Sequence, residues 1–217
     1  DGGTTWKKLP FSVTSNLNKV AFVDAHHGFL VGDQFTFLKT RNAGLTWQTS
    51  LHKGSSNLYD VAFYDREIGY IGGADGLIFY TRDGGSKVTT VPTASSMTFF
   101  GFWVLDQSEA WVVGEAGQVR TTVNSGESWD KRDVGLTADL YGVAFAHSSR
   151  GWVIGAGGVL IGTRSTGGTW KQEAPGSFPS LRGIAIKHTT GVIVGDNGAN
   201  LFLEVLGPEG KPITCPP

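Results

Sequence analysis

The sequence predicts an all-β fold, a β-propeller of five four-stranded blades, on three observations. The first is a turn that returns at a fixed interval: DGGTTW at 1–6, NAGLTW at 42–47, DGGSKV at 83–88, NSGESW at 124–129 and STGGTW at 165–170. Its first residues, Asp1, Asn42, Asp83, Asn124 and Ser165, are spaced by 41 residues, a period that marks a repeat architecture. The second is that short apolar runs separated by Gly, Asn and Asp fill each period, with no stretch of helical periodicity. The third is that the two ends of the chain complement each other in register.

The unit from Asn42 to Asp83 shows the elements in order. A short strand starts at Trp47, and a variable linker runs to Asn57. Then come LYDVAFYD (58–65), IGYIGG (68–73) and LIFYT (77–81), which leads into the next turn. The matching first strands are NKVAFVD, TFFGFWVLD, LYGVAFAHS and LRGIAIKHT, and the matching second strands are GFLVG, AWVVG, GWVIG and GVIVG. Four short strands in about 40 residues are the composition of a propeller blade. In this register the segment after DGGTTW is the fourth strand of a blade whose other three strands, ending in NLFLE (200–204), lie at the C-terminal end. Sharing that blade would close the ring and remove two exposed sheet edges; the competing reading is a piece of a longer propeller. The expected domain is 1–205, with 206–217 as a tail.

Composition sets outer bounds. Among 217 residues, 40% are apolar and seven are Trp, enough for a sizeable core. Only 17% are charged, with a formal net charge of −1, so the basic surplus of a nucleic-acid binder is missing. No apolar run approaches the roughly 20 residues of a membrane helix, and no membrane insertion is expected. The chain starts without Met or an apolar leader, which reads as a processed chain. Its single cysteine, Cys215, cannot form an internal disulfide. Little charge and cysteine beside many Trp and Gly fits an extracytoplasmic β-protein.

The turn resembles the Asp-box, or bacterial neuraminidase repeat. The whole unit, as in HGFLVGDQFTFLKTRNAGLTW (27–47) and RGWVIGAGGVLIGTRSTGGTW (150–170), most resembles the repeats of photosystem II stability and assembly factors and their bacterial relatives. The resemblance covers residues 1–205. It implies a propeller that binds protein, a secreted, periplasmic or thylakoid-lumen location, and Asp-boxes on the face opposite the usual binding face. Those factors are seven-bladed rings, so five units is a departure. Asp-box repeats also occur in sialidases, xyloglucan hydrolases, sorting receptors and lectins.

The boxes themselves read as structure. Asp or Asn caps its own turn by accepting backbone N–H bonds, and Ser165 can do the same. Gly44, Gly85, Gly126 and Gly167 permit positive φ. Trp6, Trp47, Trp129 and Trp170 are expected to insert between blades, while Lys87 and Val88 break the pattern in the third copy.

Candidate binding residues come from aligning the copies. Leu17, Leu58, Phe99, Leu140 and Leu181 precede the first strands and read as core. One position on, the copies diverge into Asn18, Tyr59, Phe100, Tyr141 and Arg182. Three aromatics beside an arginine suit stacking on a sugar or anchoring a partner's side chain. The alternative is that they only lid the central channel. Loops between second and third strands put Asp33, Glu115 and Asp196 at matching places, as a polar rim, a cation or basic-partner site, glycosidase carboxylates, or plain turn formers. His147 and His188 match Asp24, Asp65 and Asp106, and two histidines without a third ligand do not make a metal site. Trp103 replaces the alanines of the other copies, either as packing or at the channel mouth. Arg41, Arg82 and Arg164 mark the opposite face as a rival surface.

No Ser/His/Asp motif, phosphate loop or cysteine cluster appears, and the arginine triad implied by a sialidase is missing. The expected function is a non-enzymatic scaffold that binds another protein, without metal or cofactor. A carbohydrate-binding lectin is the alternative, and a glycoside hydrolase comes third.

Overall fold

The computed structural model of the chain describes residues 3–8, 13–49, 54–173, 178–187 and 190–204. Asp1, His188, Cys215 and the expected tail 206–217 lie outside the described residues. Among the described residues, nineteen strands form five antiparallel meanders, each in chain order. Blade 1 holds β1 (Leu17–Phe22), β2 (Gly28–Gly32), β3 (Thr36–Thr40) and β4 (Gln48–Thr49). Blade 2 holds β5 (Leu58–Phe63), β6 (Ile68–Gly73), β7 (Ile78–Arg82) and β8 (Thr89–Val91). Blade 3 holds β9 (Phe99–Val104), β10 (Ala110–Gly114), β11 (Val119–Thr122) and β12 (Asp130–Lys131). Blade 4 holds β13 (Leu140–His147), β14 (Arg150–Gly155), β15 (Leu160–Thr163) and β16 (Lys171–Gln172). Blade 5 shows β17 (Leu181–Lys187), β18 (Thr190–Gly195) and β19 (Asn200–Glu204).

The second strand of blade 3, AWVVG, is buried along its whole length, because blades 2 and 4 cover its two faces. The first strand of each blade packs against that of the next, from β1 through β5, β9 and β13 to β17. These innermost strands position the candidate site.

Hydrogen bonds at the turns explain the 41-residue signature. The first box residue accepts a backbone N–H four residues on: Asn42 from Thr46 at 2.9 Å, Asp83 from Lys87 at 2.8 Å, Asn124 from Ser128 at 3.0 Å, and Ser165 from Thr169 at 2.9 Å. The threonine two residues before it accepts the N–H of Gly44, Gly85, Gly126 or Gly167 at 2.9–3.0 Å. Those glycines have φ between +71° and +85°, a region that other residues enter only with strain. At Gly126 a Cβ would also stand 2.6 Å from the Tyr70 ring of the preceding blade. Thr122 is 1% exposed, so Thr122→Val would leave the Gly126 N–H unpaired in the interior. A loss of about 1–3 kcal/mol is expected, read as a lower urea midpoint.

Between blades, the box tryptophans fill the junctions. Trp129 of blade 3 meets Tyr70 of blade 2 edge-on, with ring centroids 5.5 Å apart. Trp170 of blade 4 meets Trp111 of blade 3 at 6.0 Å. In the third copy Val88 takes the tryptophan's place at 6% exposure, in a core with Phe29, Phe37 and Phe63. Phe29 and Phe63 stack there with centroids 3.5 Å apart.

The ends depart from the sequence expectation. Trp6 is 90% exposed and does not insert between blades, because no blade surface lies over it among the described residues. Trp47 is half-buried and meets Phe22 of its own blade. Leu17 is 44% exposed, whereas Leu58, Phe99, Leu140 and Leu181 are fully buried. The cause is the same, since the interior copies each have a preceding blade packed over them. Residues 3–8 form no strand, and blade 5 shows three strands among the described residues. Val20 and Phe22 at one end, and Val192, Val194 and Phe202 at the other, remain exposed. No helix among the described residues is long and apolar enough to cross a membrane.

Candidate functional site

The divergent position of the repeat becomes a continuous ladder in space. Tyr59, Phe100, Tyr141 and Arg182 each occupy the second residue of an innermost strand, so neighbouring blades bring them side by side. Tyr59 and Phe100 meet with centroids 5.8 Å apart, and Phe100 and Tyr141 at 5.6 Å. The Arg182 guanidinium lies 4.4 Å from the Tyr141 ring centroid, a cation–π arrangement. All three rings are half-buried and Arg182 is exposed, so the ladder presents ring edges and faces to solvent. Asn18 ends the row differently, donating to the Leu58 carbonyl at 2.9 Å and to Asp33 at 3.0 Å.

The three candidate acids do not converge on one another. Asp33 also accepts from the Asn16 amide at 2.8 Å. Glu115 accepts the Thr98 N–H at 2.7 Å and so pins the linker that enters blade 3. Asp196 receives Nε and Nη2 of Arg182 at 3.0 and 2.9 Å, and this bidentate pair holds its carboxyl below the usual range. Each acid is thus committed to a local donor, which suits a polar rim better than a pair of catalytic carboxylates. Among the described residues, no group of His, Cys, Asp and Glu is arranged to hold a metal ion.

Asp24, Asp65 and Asp106 cap the turns between first and second strands, each accepting two backbone N–H groups at 2.7–2.8 Å. The N–H of His26 and the contacts of His27 and Arg66 hold the Asp24 carboxyl well below the usual carboxylate range. His147, at the same register, accepts or donates a bond to Ser149 instead.

Sequence reasoning missed one feature of the site. Lys19 and Asp60 stand at the same place in blades 1 and 2, where the other copies have Gly101, Gly142 and Gly183. Lys19 Nζ lies 3.2 Å from Asp60 Oδ1, while Asp60 accepts the Phe102 N–H at 2.6 Å and the Val61 N–H at 2.9 Å. One carboxylate therefore ties blades 1, 2 and 3 together, and its burial pushes its pKa up. A lysine and an aspartate on apolar innermost strands were the available signal. Beside them opens a cavity of about 190 Å³, walled by Phe100, Trp103, Tyr141 and Arg182. Trp103 is partly buried and lines that cavity, so the residue unlike its four alanine copies faces the space between the strands.

The opposite face carries a larger groove of about 390 Å³ between blades 1 and 2, with Lys39, Arg41, Arg66 and Arg82 in its walls. Three of these are already engaged: Lys39 with Ser86, Arg66 with Asp24 and Arg82 with Glu127. Arg164 is exposed on blade 4.

Comparison with known proteins finds one matching family and several similar folds. The family model of the photosynthesis system II assembly factor YCF48 matches residues 2–54 and 50–135. A solved structure of YCF48 bound to a D1 peptide superposes with a TM-score of 0.52 at 19% identity, covering 93% of this chain and 94% of that one. An ancestral GH74 enzyme gives a TM-score of 0.71 at 16% identity over 94% of this chain and 29% of the enzyme. An auxiliary nutrient binding protein from Bacteroides thetaiotaomicron gives 0.61 at 13% identity, over 93% of this chain and 61% of that one. At these identities the structural likeness shows the fold alone. No curated protein sequence matches the chain.

Proposed function

The chain belongs to the family of the photosynthesis system II assembly factor YCF48, and from that premise we propose that it is a non-enzymatic scaffold that binds another protein on its ladder face. The observation that carries this reading is the unbroken row Tyr59–Phe100–Tyr141–Arg182, rimmed by Asp33, Glu115 and Asp196. Half-buried aromatics with a stacked arginine, set on rigid strands and ringed by polar groups, have the make-up of an interface hot spot. YCF48 has been solved with a D1 peptide bound, which supports a peptide segment of a protein as the kind of partner. A sugar would also stack on such rings, but near-identical sites would then be expected in every blade. Asn18 and Arg182 interrupt that series.

The scaffold reading includes ring closure and an extracytoplasmic location. The apolar faces exposed on blades 1 and 5 are what a further junction would bury. The test is capture from a native extract with the immobilised chain. We expect a stoichiometric protein to be retained by the wild type and lost with Phe100→Ala. Retention of glycans on an array, with no protein captured, would replace this reading by the lectin.

A further inference from the structure

The cavity beside the ladder has an asymmetry of charge that selects what can enter it. Its polar floor is the Lys19–Asp60 pair, whose two members are unequally accessible: the Lys19 side chain is 51% exposed and that of Asp60 4%. The Asp60 oxygens are turned to the Val61 and Phe102 N–H groups and to Lys19. An ammonium has three N–H donors, and the contact with Asp60 uses one of them. A visiting group therefore meets a cation with donors to spare and almost no carboxylate surface. The walls are Phe100, Trp103 and Tyr141, which suit an apolar stem, and Arg182 stands at the rim with its charge met by Asp196. At about 190 Å³ the space is ample for one side chain, where a water takes roughly 30 Å³.

We infer that this cavity receives an acidic side chain of the partner, with its stem against Trp103 and its carboxylate on Lys19. The inference rests on the protein-binding reading of the ladder face and adds the chemistry of the residue that enters. A carboxylate gains a charge-assisted bond from Lys19 that a neutral amide makes only in weaker form. A second ammonium would meet Lys19 at close range and be repelled.

The experiment is an NMR titration of the Trp103 indole N–H with three probes: the N-acetyl methylamides of glutamate, glutamine and lysine. The glutamate probe should shift that signal saturably and bind about tenfold tighter than the glutamine probe, with the lysine probe inactive. Its advantage should shrink in 0.5 M salt, as for any partly exposed ion pair. Lys19→Met should abolish the preference and Lys19→Arg should restore it. The wild-type titration decides by itself should Lys19→Met unsettle Asp60. Equal binding of the glutamate and glutamine probes, or an unmoved Trp103 signal, overturns the inference. If partner capture still depends on Tyr59 and Tyr141 in that case, the ladder reading stands and only the acidic pocket falls.

Discussion

Replacing Trp111 by alanine should destabilise the fold by about 3–5 kcal/mol, the largest single-residue loss expected outside the turns. Trp111 is 1% exposed on β10 and is the surface on which blade 4 sits. Its ring meets Phe145 at 5.2 Å and Trp170 at 6.0 Å, and Gly167 of the blade 4 turn lies so close that a Cβ there would run into the indole. Its Nε1–H donates to Glu109 at 3.1 Å, so even the polar edge is placed. The hole left by alanine is bounded by backbone on one side and by rings held in their own blades on the other. It cannot collapse without moving a whole blade, and a cavity that cannot relax gives the high end of the range. Urea unfolding of Trp111→Ala beside Trp6→Ala makes the measurement. Trp6 is 90% exposed, and its removal should cost under about 0.5 kcal/mol. Equal losses for the two variants would mean that the inter-blade aromatics do not supply the stability assigned to them.

The largest effect on binding is expected from Tyr59→Ala and Tyr141→Ala. Each ring is half-buried and touches Phe100, so each should contribute about 2 kcal/mol or more to holding a partner, a loss of roughly thirtyfold apiece. The double variant should fall short of the sum, because both rings brace the same phenylalanine and their effects are coupled. Affinity for the captured partner is the readout, with the melting temperature as control. A small thermal shift with a large loss of affinity identifies a binding surface. Unfolding of both variants would make the rings core and end the ladder reading. Full affinity in both would move the interface to the opposite face, with Arg41, Arg82 and Arg164.

Part of the candidate site was legible along the chain because a repeat acts as its own alignment. Positions 18, 59, 100, 141 and 182 diverge where the copies otherwise agree, and that contrast marked four of the residues that form the ladder. What a one-dimensional pattern does not carry is pairing across blades. The three loops that showed acids at matching places gave no sign that each acid answers a different donor: Asn16 and Asn18, the Thr98 N–H, or Arg182. The Lys19–Asp60 tie escaped for a similar reason. Its members are 41 residues apart, and only the stacking of β1 on β5 brings them within 3.2 Å.

The sequence by itself determined the unit and its repetition, since turn chemistry is local. A side-chain oxygen bonding an N–H four residues on depends on neighbours in the chain and on nothing distant. Strand order within a blade followed, because short Gly-rich connections leave little besides an antiparallel meander. Only the tertiary structure decided which apolar residues are core. Leu17 and Leu58 occupy one place in the repeat, yet one is 44% exposed and the other 0%. Burial is a property of what lies across a junction, and blade 2 has blade 1 over it while β1 faces solvent.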